Sequence, residues 1–411
     1  MKLVSTLALA AAAVAAGVGA QSALAAPPAQ PAPAAPARKY NISKEAQKPL
    51  QDLQAAAKAH DEAKYAASLT AAQAVVKSND EKYFLAQIML QHAVDAKDQA
   101  AQLAALQAMQ ASGALDATQA AVVTRNIGLL ATAMNNWALA EGPLTETIAA
   151  NPGDLDMTVN LARTKIELKR NAEALPLLQR AIQLSNASGK PAPEGWYKNA
   201  LQIALQTKNS AAVADLTAGL LKAYPGKENF NTALAVYASS GGLPADSELD
   251  FLRLKRASRT ATAREYVYLA SVADQAGLPG EVKGAIEEGR SAGVITGNDG
   301  AQLLTSSNAR IAADRASLPA DEAKARAGTN GRLALNTGNA YYGYGDYAKA
   351  ADMYRLAVQK GGADPALANL RLGEALALAG QRAEAEAAFR AVQGPRAQLA
   401  NLWMTWLAMP R

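Results

Sequence analysis

Among the side chains most used for nucleophilic and metal chemistry, this 411-residue chain offers two histidines, His60 and His92, and no cysteine. His60 stands before Asp61-Glu62 where a helical pattern breaks, and reads as a solvated turn residue. His92 falls on the face of a helix turned into its own hairpin, which makes it a packing residue. Neither has a second histidine or a carboxylate at the four-residue spacing that sets two metal ligands on one helical face. The carboxylates Glu287-Glu288, and Glu384 with Glu386, lie in exposed helical stretches and read as solvating charge. The stretch "GNAYYGYGD", from Gly338, is rich in glycine, but it follows no strand and carries no Lys-Ser/Thr pair, so it is not a phosphate loop. The run "RLKRASRTATAR", Arg253 to Arg264, holds five positive charges without aromatic or glycine patterning. It reads as an exposed helix end and loop, not as a phosphate-binding surface. These residues point to no catalytic centre, no cofactor and no metal site.

The elements that would position any site are helices. Half of the residues are hydrophobic but only 5% are aromatic, and alanine dominates, a composition suited to helices packed closely through small side chains. Net charge is +5 from 41 basic and 36 acidic residues, interspersed along the chain, which is a solvated surface and not a nucleic-acid footprint. The first 25 residues read as an export signal, with Lys2 as charged start, Leu3 to Val18 as apolar stretch and Ala23-Leu24-Ala25 as cleavage site. Residues 26–39, "APPAQPAPAAPARK", form a Pro/Ala-rich linker that cannot bury a core. No later stretch is long and apolar enough to span a membrane. The missing cysteine also removes the lipid attachment point of exported bacterial proteins, so no stable membrane anchor is expected, and the protein is expected in the periplasm or secreted.

From Tyr40 onward, alanine-rich segments with apolar residues three and four apart alternate with short Gly, Pro, Asn or Asp breaks, the mark of helical hairpins. A repeat is visible. In "VTRNIGLLATAMNNWALAEGPLTETIAANP", residues 123–152, Ile127 and Gly128 lead to a turn at Asn135-Asn136-Trp137, Ala140 and Leu144 follow, and Pro152 ends the unit. The frame recurs with Leu161, Ala162, Ala174, Leu178 and Ala181, ends a third copy at Pro225, and returns with Tyr266, Leu269, Ala270, Gly277, Ile286 and Gly289. The last two copies are the clearest. One carries Gly338, Tyr341, Gly345-Asp346-Tyr347, Ala350, Tyr354 and Ala357; the other carries Leu372-Gly373, Gly380, Ala385 and Phe389.

This pattern resembles the tetratricopeptide repeat, a helix–turn–helix unit of about 34 residues. The whole mature chain is also similar to large exported tetratricopeptide proteins of alphaproteobacterial envelopes. The expected fold is therefore all-α, a right-handed superhelical solenoid of stacked hairpins. Its expected divisions are degenerate hairpins over 40–120, repeats over 121–226, irregular helical repeats over 227–330, two clear repeats over 331–395 and a capping helix over 396–411. In that last helix Leu402, Trp403, Trp406 and Leu407 share one side and should cover the final hairpin.

The resemblance also implies a concave groove lined by the first helix of each hairpin, gripping a protein or peptide partner. The family's groove positions fall here on Arg332, Leu335, Asn339, Tyr342 and Gly343 in one repeat, and on Asp156, Val159, Arg163, Ile166 and Glu167 in another. A clamp of lysine, asparagine and arginine for a terminal carboxylate is not reconstructed, since Asn339 stands without basic companions in register. Five tyrosines crowd residues 339–354. Register assigns Tyr341, Tyr347 and Tyr354 to packing and Tyr344 to a partly exposed helix end, and leaves Tyr342 alone facing the groove. The expected function is a non-catalytic protein-binding scaffold of the bacterial envelope. The alternative is a glycan-binding or polysaccharide-export accessory protein that stacks exposed aromatic rings on sugars.

Overall fold

The structure, a computed structural model, describes residues 40–239 and 243–410. The export signal and linker expected over 1–39 lie outside the described residues. The chain divides into two compact units, one ending at Thr207 and the other beginning at Lys208. This division falls inside the stretch 121–226 that reads as a continuous series of repeats.

The first unit consists of α1 (Lys44–Ala59), α2 (Glu62–Val75), α3 (Asn79–Asp95), α4 (Gln99–Ala111), α5 (Ala117–Ala133), α6 (Trp137–Ala150), α7 (Leu155–Glu167), α8 (Asn171–Ala187) and α9 (Glu194–Gln206). Helices α1 to α8 pair as four consecutive hairpins, and each hairpin packs on the next. One turn repeats inside them. A residue in the left-handed region (His60, Lys97, Asn135, Lys169) ends the first helix. The amide of the following residue then donates to the carbonyl five positions back, as Asn136 does to Ala131 at 2.8 Å. That following residue, Asp61, Asp98 or Asn136, also caps the second helix with its side chain. A single dipeptide thus closes one helix and opens the next, satisfying orphan carbonyls and orphan amides together. Between paired helices the approach is close: a Cβ on Gly128 would meet the Leu144 side chain at 3.0 Å.

At the start of this unit Glu81 is 2% exposed. Its carboxylate accepts from the backbone amides of Lys77 at 2.7 Å, Ser78 at 2.9 Å and Ser43 at 2.9 Å. Burial by itself raises the acid's pKa, but these hydrogen bonds outweigh it and hold the group at about 2. A depressed pKa contributes stability that is complete above the unfolded value near 4.5 and is lost as pH falls toward 2. Glu81→Gln should therefore cost at most about 3 kcal/mol at pH 7 and lose that cost in acid. Hydrogen exchange of α1 and α3 between pH 7 and pH 3 measures this, and a cost independent of pH would contradict it.

His92 does not pack into its own hairpin. Its ring stacks at 3.6 Å and 7° on Tyr65 of the preceding hairpin, and its Nε2 lies 3.1 Å from Glu62. The reason is that α3 buries Tyr83 and Ala86 toward α4 and α5, leaving the His92 edge to meet α2. His60 is exposed in its turn, as expected. Among the described residues no three metal-binding side chains come together, and no helix is long and apolar enough to cross a membrane.

The second unit consists of α10 (Ser210–Ala223), α11 (Lys227–Ser239), α12 (Glu248–Ala257), α13 (Ala263–Gln275), α14 (Pro279–Ser291), α15 (Ala301–Ala327), α16 (Arg332–Gly343), α17 (Tyr347–Lys360), α18 (Pro365–Leu378), α19 (Arg382–Arg390) and α20 (Ala397–Ala408). Hairpins α13–α14, α16–α17 and α18–α19 use the same turn, with Gly277, Gly345 and Gly380 in the left-handed position. The stretch 294–330, too irregular to divide by sequence, is dominated by the single 27-residue helix α15. The final helix packs on α18 and α19. Trp403 is fully buried and stacks on Phe389 at 5.9 Å, while Leu402 and Leu407 are buried beside it.

Candidate functional site

Counting back three, six and ten positions from each left-handed turn residue gives equivalent places on the first helix of every hairpin. In the last two repeats these places are Leu335, Asn339 and Tyr342 on α16, and Leu370, Glu374 and Ala377 on α18. All six are buried, between 0% and 9% exposed. The open groove expected at Leu335, Asn339 and Tyr342 is therefore closed, and at Tyr342 and Glu374 what closes it is this chain's own α12.

Helix α12 has seven consecutive buried residues, Leu249 to Lys255. A helix buried on every side is ordinarily apolar all round. Here Leu249 and Leu252 join the core of α13 and α14, and Phe251 and Leu254 join the core of α16 to α20. The charged residues between them face partners. Arg253 makes a bidentate pair with Glu281, both contacts at 2.7 Å, and reaches Asp250 at 3.3 Å and Glu374 at 3.5 Å. Arg371 grips Asp250 at 2.8 and 3.3 Å and donates to the Asn339 amide oxygen at 3.1 Å. The Tyr354 hydroxyl donates to the same oxygen at 2.8 Å. The Arg253 guanidinium lies 4.0 Å from the centre of the Tyr342 ring, and Tyr347 meets that ring edge-on at 5.2 Å.

The basic run that reads as an exposed helix end is thus largely interior. Arg253 is buried as above, Lys255 pairs with Glu265, and Arg256 pairs with Glu288 at 2.7 Å. Paired carboxylates from α13 and α14 account for the difference, because guanidinium and ammonium groups enter a core only when matched. Glu288, read as solvating charge, is one of those partners and also accepts from the Tyr266 hydroxyl at 3.2 Å.

The buried cluster holds three carboxylates, Asp250, Glu281 and Glu374, against two guanidiniums, Arg253 and Arg371. One proton balances it, and Glu374 is where it belongs. Burial first, then the neighbouring Asp250 charge, pushes the Glu374 carboxyl well above the ordinary range, against the pull of Arg253 and Arg371. One of its oxygens, Oε1, has no hydrogen-bond partner. A raised acid keeps its proton in the folded state while the unfolded chain releases it above about 4.5, so this group lowers stability as pH rises from there. Glu374→Gln should be more stable than the wild type at pH 7.5, by on the order of 1–3 kcal/mol, and close to it at pH 4.5. Urea melts at the two pH values measure this; a variant less stable at pH 7.5 would show that Glu374 is ionised.

The remaining residues of the expected α16 site are structural as well. Arg332 is exposed, but its Nε donates to the Gly362 carbonyl at 2.9 Å. Gly343 makes room for α14: a Cβ there would meet the Glu281 amide nitrogen at 2.9 Å. The other tyrosines pack as register assigns or more deeply. Tyr341 donates to Glu322 at 2.8 Å, and Tyr344 donates to Asp314 at 2.5 Å while its ring presses on Gly280.

The first unit is different. From α5 onward the equivalent places are Arg125, Leu129 and Thr132 on α5, Val159, Arg163 and Ile166 on α7, and Lys198, Gln202 and Leu205 on α9; on α1, by contrast, Leu50 and Ala57 are buried. On α5, α7 and α9 only Thr132 is buried; Arg163, Gln202 and Leu205 are exposed, and the rest are half-buried. Arg163 lies over the Trp137 ring at 5.1 Å, and Arg125 is 3.6 Å from Asp154. Behind this face Lys165 donates to Glu141 at 2.6 Å and to Glu173, and Arg170 donates to Glu141 at 2.6 Å, locking α6, α7 and α8 together. The hydrogen bond from Lys165 holds the Glu141 carboxyl below its ordinary value.

No protein-family model matches the chain, and no curated protein matches its sequence. Solved structures do show similarity. MamA (AMB-1) aligns at 15% identity and a TM-score of 0.29, over 44% of this chain and 99% of its own. PilW, described as a widely conserved type IV pilus biogenesis factor, aligns at 17% identity and a TM-score of 0.27, over 46% of this chain and 82% of its own. A tetratricopeptide repeat protein from Parabacteroides merdae aligns at 11% identity and a TM-score of 0.31, over 80% of this chain and 99% of its own.

Proposed function

We propose that this chain is a non-catalytic scaffold of the bacterial cell envelope, exported by residues 1–25, whose first unit holds a segment of a partner protein along α5, α7 and α9. The observation that carries this reading is the contrast in burial. The three places are all buried on α16 and α18, where Arg253 of α12 lies on Tyr342 and Glu374, whereas on α5, α7 and α9 all but Thr132 are left at least partly open. A row that joins Leu129, Val159, Ile166 and the 40% exposed Leu205 with Arg125, Arg163 and Lys198 suits a helical or extended segment bearing apolar and acidic side chains.

The glycan reading needs several exposed rings. Tyr342, its main support, is buried, and Tyr268 is the single ring among the exposed large apolar side chains of the described residues. Affinity purification of the mature chain from its native periplasm, followed by mass spectrometry, tests the scaffold reading. Arg163→Glu should reduce retention of the partner at least about tenfold, the effect of losing one anchor, with melting unchanged. Equal retention by the wild type and Arg163→Glu would remove the first unit's face from the proposal.

A further inference from the structure

Filling of the inner face by α12 is incomplete at one end of the second unit. There a cavity of about 720 Å³ opens between the start of α11, the end of α12, the end of α18 and the last residues of the chain. Its lining includes Phe230, Ala257, Ala377, Leu378, Trp406 and Met409, with Lys227 and Arg259 exposed at the rim. The volume lies within the range of about 300–1,000 Å³ typical of small-molecule sites.

We infer that this cavity binds an anionic amphiphile: a single alkyl chain lying on the apolar wall, its carboxylate or phosphate head between Lys227 and Arg259. Charge decides the head. Both rim side chains are cations, Lys227 opens α11 where the helix dipole favours an anion, and no acidic side chain lines the cavity. The wall decides the body. A peptide would bury an amide at every residue, each needing a hydrogen-bond partner. The cavity offers few. Besides the Trp406 indole, Ser258 is the only uncharged polar side chain on its lining, and its hydroxyl is already engaged with the Leu254 carbonyl at 2.8 Å and the Thr260 hydroxyl at 3.0 Å. An alkyl chain asks for no such partner and gains the apolar contacts of Phe230, Trp406 and the pliable Met409.

Trp406 is half-buried and meets Trp403 edge-on at 5.4 Å, so it reports on occupancy. The full chain is titrated with dodecanoate, dodecyl phosphate, dodecanol and dodecyltrimethylammonium, each below its micelle concentration. Tryptophan emission follows binding and native mass spectrometry counts adducts. Dodecanoate or dodecyl phosphate should saturate at one per chain, and which of the two binds more tightly separates a fatty-acid from a phospholipid-like source. Dodecanol should bind about tenfold more weakly or worse, and the cationic amphiphile should not saturate. The double variant Lys227→Gln/Arg259→Gln should weaken anion binding about tenfold or more with unchanged melting, because both residues are exposed. Gly226→Leu, placed where a Cβ meets nothing within 4 Å, should compete for the space and weaken all amphiphiles alike. Equal affinity for the cationic amphiphile, undiminished binding by the double variant, or no saturable binding overturns the inference. Arg163→Glu should leave this titration unchanged, so failure here and failure of the first unit's peptide face are told apart.

Discussion

Arg253→Met should unfold much of the second unit's inner structure at pH 7.5, at a cost of about 3–5 kcal/mol. The guanidinium is 1% exposed and stands between Glu281, Asp250 and Glu374. Removing it leaves charged Asp250 and Glu281 beside the protonated Glu374, with Arg371 as their remaining cation, and an unmatched charge in a core costs more than the pair contributed. The variant can relieve the excess only by taking up protons, so its deficit should shrink as pH falls from 7.5 to 5. Hydrogen exchange resolved by peptide measures both effects: α12, α14, α16 and α18 should lose protection, and α1 to α9 should not. Arg382→Met, which breaks a surface pair with Glu386 on α19, is the control and should change little. Full protection in Arg253→Met would mean that the cluster holds nothing together.

Tyr342→Ala is expected to be nearly as damaging, costing about 3–5 kcal/mol. Register on the repeat assigns this ring to an open groove, where truncation would weaken binding and spare stability. In the structure it is 4% exposed beneath Arg253 and beside Tyr347. Truncation opens a cavity in a packed core and takes the aromatic face away from a buried cation. Thermal melting followed by hydrogen exchange should place Tyr342→Ala close to Tyr354→Ala and far from Tyr268→Ala, whose ring is 46% exposed. A Tyr342→Ala protein that melts like the wild type would restore the open groove.

Local signals carried most of the fold. The breaks at Asn135-Asn136, Gly345-Asp346 and Gly380-Gln381 are turns for reasons contained in the dipeptide itself, and small residues such as Gly128 mark where a facing side chain presses close. Lys97 and Lys169 are harder to recognise, because lysine in the left-handed region gives no compositional warning. The site was less legible. Repeat register tells which face of α16 a residue occupies, and Leu335, Asn339 and Tyr342 do share one face. It does not tell what lies across from that face. The covering segment is α12, and its grip on α18 joins Asp250 to Arg371, 121 positions apart. One trace was visible in "LDFLRLKR": apolar residues fall on every side of that helix, and a surface helix shows one stripe. Its charges suggested solvent because their carboxylate partners, Glu265, Glu281 and Glu288, lie on other helices.

Repeat arrays commonly gain and lose whole units during evolution, since each unit touches only its neighbours and an insertion merely lengthens the stack. The first unit of this chain keeps that freedom. In the second, Asp250 holds Arg371 and Asp246 holds Arg396, 150 positions away, so the two ends of the segment are fastened across everything between them. Adding or deleting one hairpin there would pull the fastening out of register. The number of helices from α12 to α20 is consequently fixed by a length the clasp can span, and homologous chains should vary in repeat number before Asp246 and not between Asp246 and Arg396.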